Sequence, residues 1–84
     1  MEEYRKVVTD YIVEKFEIDK EDEDFTPDVN MFEYGFIDSA GAVQLMAFIE
    51  QKYGIQVTNK DLMMYPMNTI NEIAKFIERK ISNK

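Results

Sequence analysis

At residues 35–45 the chain reads Gly-Phe-Ile-Asp-Ser-Ala-Gly-Ala-Val-Gln-Leu, and this stretch decides the fold. The sequence before it is acidic and lacks helical periodicity from about residue 18, whereas apolar residues after it recur at helical spacing as far as Tyr53. Asp38 and Ser39 lie at this change, and both residue types are favoured at the start of a helix. The sequence therefore predicts an amphipathic helix over residues 39–53, ended by Gly54.

Two further main helices are predicted, one on each side. Tyr4, Val8 and Ile12 lie on one face of a helix over residues 2–17. Thr69 and Glu72 form a capping box at the start of the last helix, whose apolar stripe is Ile70, Ile73, Ala74, Ile77 and Ile81. Residues 61–65 are expected to form one loose turn ahead of Pro66.

The connection over residues 18–38 is long, and Pro27 disfavours helix at the residue before it. Residues 17–28 contain seven acidic side chains against Lys20 alone. We expect the apolar residues of the connection to fix it onto the helices; they are Phe25, Val29, Phe32, Phe36 and Ile37. No alternation of period two persists. The sequence thus predicts an all-α bundle of three main helices plus a short third helix, with a long first loop, as a single domain over residues 1–84.

The composition disfavours several classes of protein. The chain has no Cys and no His, so disulfides and the common zinc sites are excluded. The acidic run from Asp19 lacks the glycine and the final glutamate of a calcium loop, so no metal site is expected. A net charge of -7 argues against nucleic-acid binding and favours docking on basic patches of protein partners. The longest central apolar run, residues 45–49, is far shorter than the about 20 residues of a membrane span. We expect a cytoplasmic monomer that does not insert into membranes.

Ser39 has three possible roles. A catalytic serine needs a base and an oxyanion hole, but the chain has no His, and Ile37 replaces the first glycine of the Gly-x-Ser-x-Gly pattern. A phosphodiester on Ser39 is favoured over a catalytic role, because the free N–H groups and the dipole at a helix N-terminus stabilise an attached phosphate. The third possibility is that Asp38 and Ser39 only cap the helix. A hydrolase is the least favoured of the three.

The residues leading to Ser39 favour the phosphodiester. Residues 32–39, Phe-Glu-Tyr-Gly-Phe-Ile-Asp-Ser, together with the helix order, the long first loop and residues 53–55, resemble the acyl carrier protein family over nearly the whole chain. The resemblance implies that Ser39 carries a covalent 4'-phosphopantetheine arm and that Asp38 assists its transfer. It further implies a non-catalytic carrier that holds an acyl or aminoacyl group as a thioester. The implied partners are a phosphopantetheinyl transferase, an acyl- or aminoacyl-activating ligase and downstream acyl transferases.

The cargo is less well defined. Residues 38–45, Asp-Ser-x-Gly-x-Val-Gln-Leu, are especially similar to D-alanyl carrier proteins, although residues 63–66 lack the tryptophan expected of those proteins. Specialised acyl carriers outside bulk fatty acid synthesis share the Ser-x-Gly pattern. Phe48 is expected to fill the core beneath the second helix, which favours short or polar cargo over a long acyl chain.

The outward face of the second helix is the expected docking surface for partners, formed by Ala40, Val43, Gln44, Ala47 and Glu50. Only Glu50 is charged, unlike the acidic second helix of carriers for fatty acid synthesis. Val43 and Ala47 form a candidate apolar docking spot, although single exposed apolar residues need no function. An unmodified acidic interaction module of the same fold remains the alternative to a carrier.

Overall fold

A computed structural model of the protein describes residues 2–19 and 21–82, and these residues form four α-helices and no strand. The helices are α1 (Glu2–Lys15), α2 (Ser39–Tyr53), α3 (Asn59–Met64) and α4 (Ile70–Ser82). The all-α prediction of three longer helices and a short third one is therefore confirmed. None of the helices in the described part of the chain is long and apolar enough to cross a membrane.

The core forms where α1 lies against α4, with α2 packed on both. Its fully buried aliphatic side chains come from the apolar stripes of these three helices, and they include Val8, Ile12, Leu45, Ile49, Ile70, Ile73 and Ile77. Burying a side chain of this size contributes about 1.5–3 kcal/mol relative to leaving it in water. The stripes read from the sequence therefore hold the bundle together, with Phe76 as a further buried residue that the predicted stripe of α4 omitted.

The first helix ends at Lys15, two residues before the predicted end. Glu17 adopts a left-handed backbone conformation with φ of 54°, and the Ile18 N–H donates to the Val13 carbonyl at 3.1 Å. The left-handed residue and this hydrogen bond together form a Schellman motif, in which glycine normally occupies the left-handed position. The sequence prediction missed it because a glutamate occupies the left-handed position.

The predicted short third helix is confirmed, but it spans residues 59–64 as a regular helix, whereas one loose turn was expected over 61–65. Its first turn is closed by a capping box, in which the Thr58 hydroxyl accepts from the Asp61 N–H and the Asp61 carboxylate accepts from the Thr58 N–H, both at 3.1 Å. No residue of α3 is buried. The helix is therefore set by its cap, a signal that the sequence analysis did not use at this position.

The end of α2 and the start of α4 agree with the sequence prediction. Gly54 has φ of 64°, and its N–H donates to the Glu50 carbonyl at 2.9 Å. At the start of α4 the Thr69 hydroxyl accepts from the Glu72 N–H at 3.0 Å, while the Glu72 carboxylate accepts from the Thr69 N–H at 3.1 Å. Both the glycine stop and the predicted capping box are confirmed.

The long first loop is ordered against the bundle. Val29 and Ile37 are buried as expected, and the rings of Phe25 and Phe36 meet edge to face at 5.2 Å. The prediction for Phe32 is wrong, because this side chain is exposed and its neighbour Met31 is fully buried instead. The Asn30 side chain accepts from the N–H groups of residues 32 and 33, and the resulting turn directs Met31 inward.

Backbone hydrogen bonds join this loop to the start of α4. The Met31 N–H donates to the Asn68 carbonyl at 3.0 Å, and the Asn71 N–H donates to the Pro27 carbonyl at 3.0 Å. Because these bonds replace contacts with water, the loop keeps its backbone satisfied without secondary structure of its own. The segment that leads to Ser39 is thus held in place by residues that come after Ser39 in the chain.

Candidate attachment site at the start of α2

Asp38 forms the cap of α2. Its backbone is extended, its Oδ1 accepts from the Gly41 N–H at 2.8 Å, and its carbonyl accepts from the Ala42 N–H at 2.9 Å. Ser39 is the first helical residue and is exposed to solvent. The capping role considered for Asp38 in the sequence is therefore confirmed, and the Ser39 hydroxyl is accessible at the positive end of a 15-residue helix.

The residues before Asp38 determine how the chain reaches this position. Gly35 has φ of 76°, a conformation that side-chain-bearing residues rarely adopt, and its N–H donates to the Phe32 carbonyl at 3.2 Å. The Met31 carbonyl then accepts from the N–H groups of Phe36 at 2.9 Å and Ile37 at 3.2 Å. This turn buries Ile37, so the two residues that follow it emerge at the surface.

Gly41 makes the closest contact beneath the site. It is buried, and a Cβ atom placed on it would lie 2.8 Å from the Phe16 ring and 3.0 Å from the Ile37 Cγ2 atom. Only glycine allows the ring to approach the helix backbone this closely. In the sequence Gly41 stands out only as part of the serine pattern, and no local feature connects it with Phe16. The available signal was a lone glycine inside a helical pattern, which often has a packing reason.

The predicted docking residues lie on one exposed face of α2. Ala40, Val43, Gln44 and Ala47 are all exposed, and Val43 is exposed over 70% of its surface. Glu50 differs from them, because it is only half-exposed and its carboxylate accepts from the Val57 N–H at 2.8 Å. Glu50 thus ties the end of α2 to the connector before α3, and its contact with a partner stays a prediction.

The interior beneath this face is filled by side chains. Leu45 and Ile49 are buried, while Phe48 is half-buried and its ring stacks on Tyr11 with centroids 4.1 Å apart and planes 11° apart. Phe48 therefore lies at the boundary between α1 and α2 and not in the centre of the core. A groove of about 240 Å³ exists on the side of α1 and the first loop, but Ser39 does not line it.

Metal ligands are not grouped at the site. Within residues 2–19 and 21–82, no three acidic side chains lie close enough together to hold a metal ion. In the acidic part of the first loop, the Asp19 and Asp22 carboxylates instead accept from the N–H groups two residues later, each at 2.9 Å. These carboxylates stabilise turns.

Comparison with known proteins identifies the family of the chain. The profile of the family described as "Phosphopantetheine attachment site" matches residues 6–77. The chain is 32% identical over 77 residues to the D-alanyl carrier protein of Bacillus velezensis (strain DSM 23117 / BGSC 10A6 / LMG 26770 / FZB42), a match that covers 87% of this chain and 96% of that protein. It is 34% identical over 53 residues to the D-alanyl carrier protein of Bacillus subtilis (strain 168), covering 58% of this chain and 68% of that protein.

The matched region contains α2 and α3 in full and most of α1 and α4. Members of this family carry a covalently attached 4'-phosphopantetheine and act as carriers without catalytic activity of their own. The resemblance noted in the sequence is therefore confirmed. The chain belongs to the phosphopantetheine attachment family and is a non-catalytic carrier protein similar to D-alanyl carrier proteins.

Proposed function

We propose that the Ser39 Oγ atom is the attachment point of the 4'-phosphopantetheine arm. The observation that carries the proposal is that Ser39 is the only serine within the matched residues 6–77, and it is exposed at a helix N-terminus. The chain has one other serine, Ser82, which lies at the end of α4 and outside the match. A helix C-terminus disfavours an attached anion, whereas an N-terminus stabilises it.

The residues around Ser39 fit a phosphodiester. In the attachment reaction the Ser39 oxygen forms a bond to phosphorus of a donor of the coenzyme A type, the bond from phosphorus to the leaving phosphate ester breaks, and the hydroxyl proton is released. Asp38 uses Oδ1 to accept from the Gly41 N–H, and this hydrogen bond does not involve Oδ2. We propose that Oδ2 assists the transfer by contacting the transferase or a cation that it holds.

The arm supplies a thiol that this chain lacks, because the sequence contains no Cys. We propose that the carried group is small, with a D-alanyl or similar aminoacyl group as the first candidate. Both named relatives are D-alanyl carrier proteins. The stacked rings of Tyr11 and Phe48 and the buried Leu45 fill the space beneath α2, so a long chain would have to displace packed side chains at about 1–3 kcal/mol.

The test compares the two serines directly. Protein is incubated with a phosphopantetheinyl transferase and coenzyme A, and its intact mass is measured. Wild type and the matched control Ser82→Ala should each gain one phosphopantetheine, and Ser39→Ala should gain none. Modification of Ser39→Ala would contradict the proposed attachment point. A wild type that stays unmodified with several transferases would favour an unmodified interaction module of the same fold.

The exposed face of α2 is the proposed docking surface for the transferase, an aminoacyl-activating ligase and downstream acyl transferases. Val43 is the large hydrophobic residue that α2 exposes, over 70% of its surface. Val43→Glu should raise the KM of such partners without changing the free energy of unfolding, because the side chain is in solvent. The matched control is Gln56→Glu, an exposed position in the connector after α2. Equal KM values for the two variants would contradict docking at Val43.

A further inference from the structure

We infer that Phe16 is a positioning residue for modification at Ser39, acting through Gly41 and the Asp38 cap. The inference rests on the proposed attachment at Ser39. It assigns a role in that reaction to a side chain on a different element, located just after α1. Three structural observations support it.

The first observation is that the Phe16 ring is held in a defined place. The Phe16 N–H donates to the Ile12 carbonyl at 3.0 Å, and the Schellman bond of Ile18 to Val13 closes the chain immediately after it. The ring also meets Tyr11 edge to face at a centroid distance of 6.4 Å. Phe16 follows α1 directly and is fixed to its last turn by this hydrogen bond and ring contact.

The second observation is the contact with Gly41. The two Phe16 ring atoms nearest to a Cβ on Gly41 would lie 2.8 and 3.0 Å from it, so the ring faces the helix backbone directly. The N–H of this same residue donates to the Asp38 carboxylate. The ring thus packs on the residue whose amide forms the cap, and it restricts the first turn of α2 from below.

The third observation is the position of Ser39 between the two capping partners. Asp38 and Gly41 enclose the first turn, and Ser39 is exposed within it. Removing the ring would leave an empty volume next to the cap, which allows the first turn to move and lengthens the hydrogen bond. Transfer reactions are sensitive to such displacement of the reacting oxygen, and shifts of about 1 Å cost up to about 100-fold in rate.

A role limited to filling the core makes a different prediction. In that case Phe16 would affect only the free energy of unfolding, and any buried ring of similar size would have the same effect on modification. Phe76 provides this comparison, because it is buried in α4 and packs on Tyr65, with no contact to the cap. Val43, Gln44 and Ala47, which form most of the docking face, lie beyond the first turn of α2, so we expect the KM of the transferase to stay unchanged.

The experiment measures Phe16→Leu and Phe76→Leu side by side. Phe16→Leu should lower the kcat of modification by about tenfold at unchanged KM, and it should speed hydrogen exchange at the Gly41 amide. Phe76→Leu should lower stability, while the kcat of modification and the hydrogen-exchange rate of the Gly41 amide should stay near their wild-type values. An unchanged kcat in Phe16→Leu, or an equal loss in both variants, overturns the inference.

A second pair of variants tests the contact itself. Gly41→Ala places a methyl group against the ring and should lower both stability and kcat. When Gly41→Ala is combined with Phe16→Leu, the smaller side chain makes room for the methyl group. The double variant should therefore recover most of the kcat that Gly41→Ala loses. A double variant that is worse than Gly41→Ala contradicts the role of the ring. A wild type that is not modified at all overturns the attachment proposal and this inference with it, whereas failure of the inference alone appears as normal modification of Phe16→Leu.

Discussion

The Lys80 ammonium lies 2.9 Å from the Asp61 carboxylate, and this ion pair joins α4 to the first turn of α3. The same carboxylate oxygen accepts from the Thr58 N–H in the capping box. Since no residue of α3 is buried, this one carboxylate links the short helix both to its own cap and to the bundle.

Acid should therefore remove the stabilising contribution of Asp61. The Lys80 ammonium, followed by the Thr58 N–H, holds the pKa of Asp61 below its ordinary value. A lowered folded pKa contributes stability that is present above the unfolded value of about 3.9 and is lost as the pH falls through the folded value. Urea unfolding of wild type and Asp61→Asn at pH 7 and at about pH 3 should show a smaller acid-induced loss in the variant. Parallel losses in the two proteins would show that Asp61 is not responsible.

The two roles of Asp38 can be separated by substitution. Asp38→Ala removes the acceptor of the Gly41 N–H and should lower the free energy of unfolding by about 1 kcal/mol. Asp38→Asn keeps a capping oxygen and should stay close to wild type in stability, but it removes the negative charge proposed to assist transfer. We expect Asp38→Asn to be modified more slowly than wild type at equal stability. Wild-type modification rates in Asp38→Asn would limit Asp38 to capping.

The end of α1 offers a stabilising change. Glu17 has a φ of 54°, which a residue with a Cβ adopts at a cost that glycine does not have. Glu17→Gly should raise the free energy of unfolding by about 0.5–1 kcal/mol, after the greater flexibility of glycine in the unfolded chain is allowed for. Glu17→Gln is the matched control, because it removes the same charge and keeps the Cβ. Equal stabilisation by both variants would attribute the effect to charge.

Cargo length can be tested on protein that carries the arm. Loading a short aminoacyl group or an octanoyl group should shift NMR signals mainly at Ser39 and at the exposed Val43, because Leu45 and Ile49 occupy the interior and the half-buried Phe48 packs against them. Each buried methylene would return about 0.8 kcal/mol, so a sufficiently long chain has a driving force to enter. Large, chain-length-dependent shifts at Phe48, Ile49 and Ile73 would show that the core opens and would favour a fatty acyl carrier.

Local signals in the sequence predicted most of the fold. The bounds of α2, the stop at Gly54 and the capping box of Thr69 follow from patterns within a few residues, and all three are confirmed. The predicted end of α1 was wrong because Glu17 adopts a left-handed backbone conformation, which is not expected of a glutamate. For α3, the Thr58 cap was present in the sequence but was overlooked beside Pro66.

In the candidate site, too, local features could be predicted from the sequence, whereas contacts between distant elements could not. Asp38 and Ser39 were identified from the adjacent helix start, whereas the contact of Phe16 with Gly41 joins residues from two elements and requires the packed structure. The burial of Met31 in place of Phe32 likewise depends on a turn closed by Asn30 and on a hydrogen bond to Asn68. Contacts between distant parts of the chain leave no periodic trace in the sequence.

The hydrogen bonds from the first loop to Asn68 and Asn71 have a consequence for biosynthesis. When Ser39 leaves the ribosome during translation, these two residues, which come 29 and 32 positions later, are still inside it. At that stage Met31 and Pro27 lack their partners, so the turn that presents Ser39 is not yet assembled. If the arm is attached at Ser39 as proposed, we expect modification to follow the docking of α4, so that attachment would depend on completed folding.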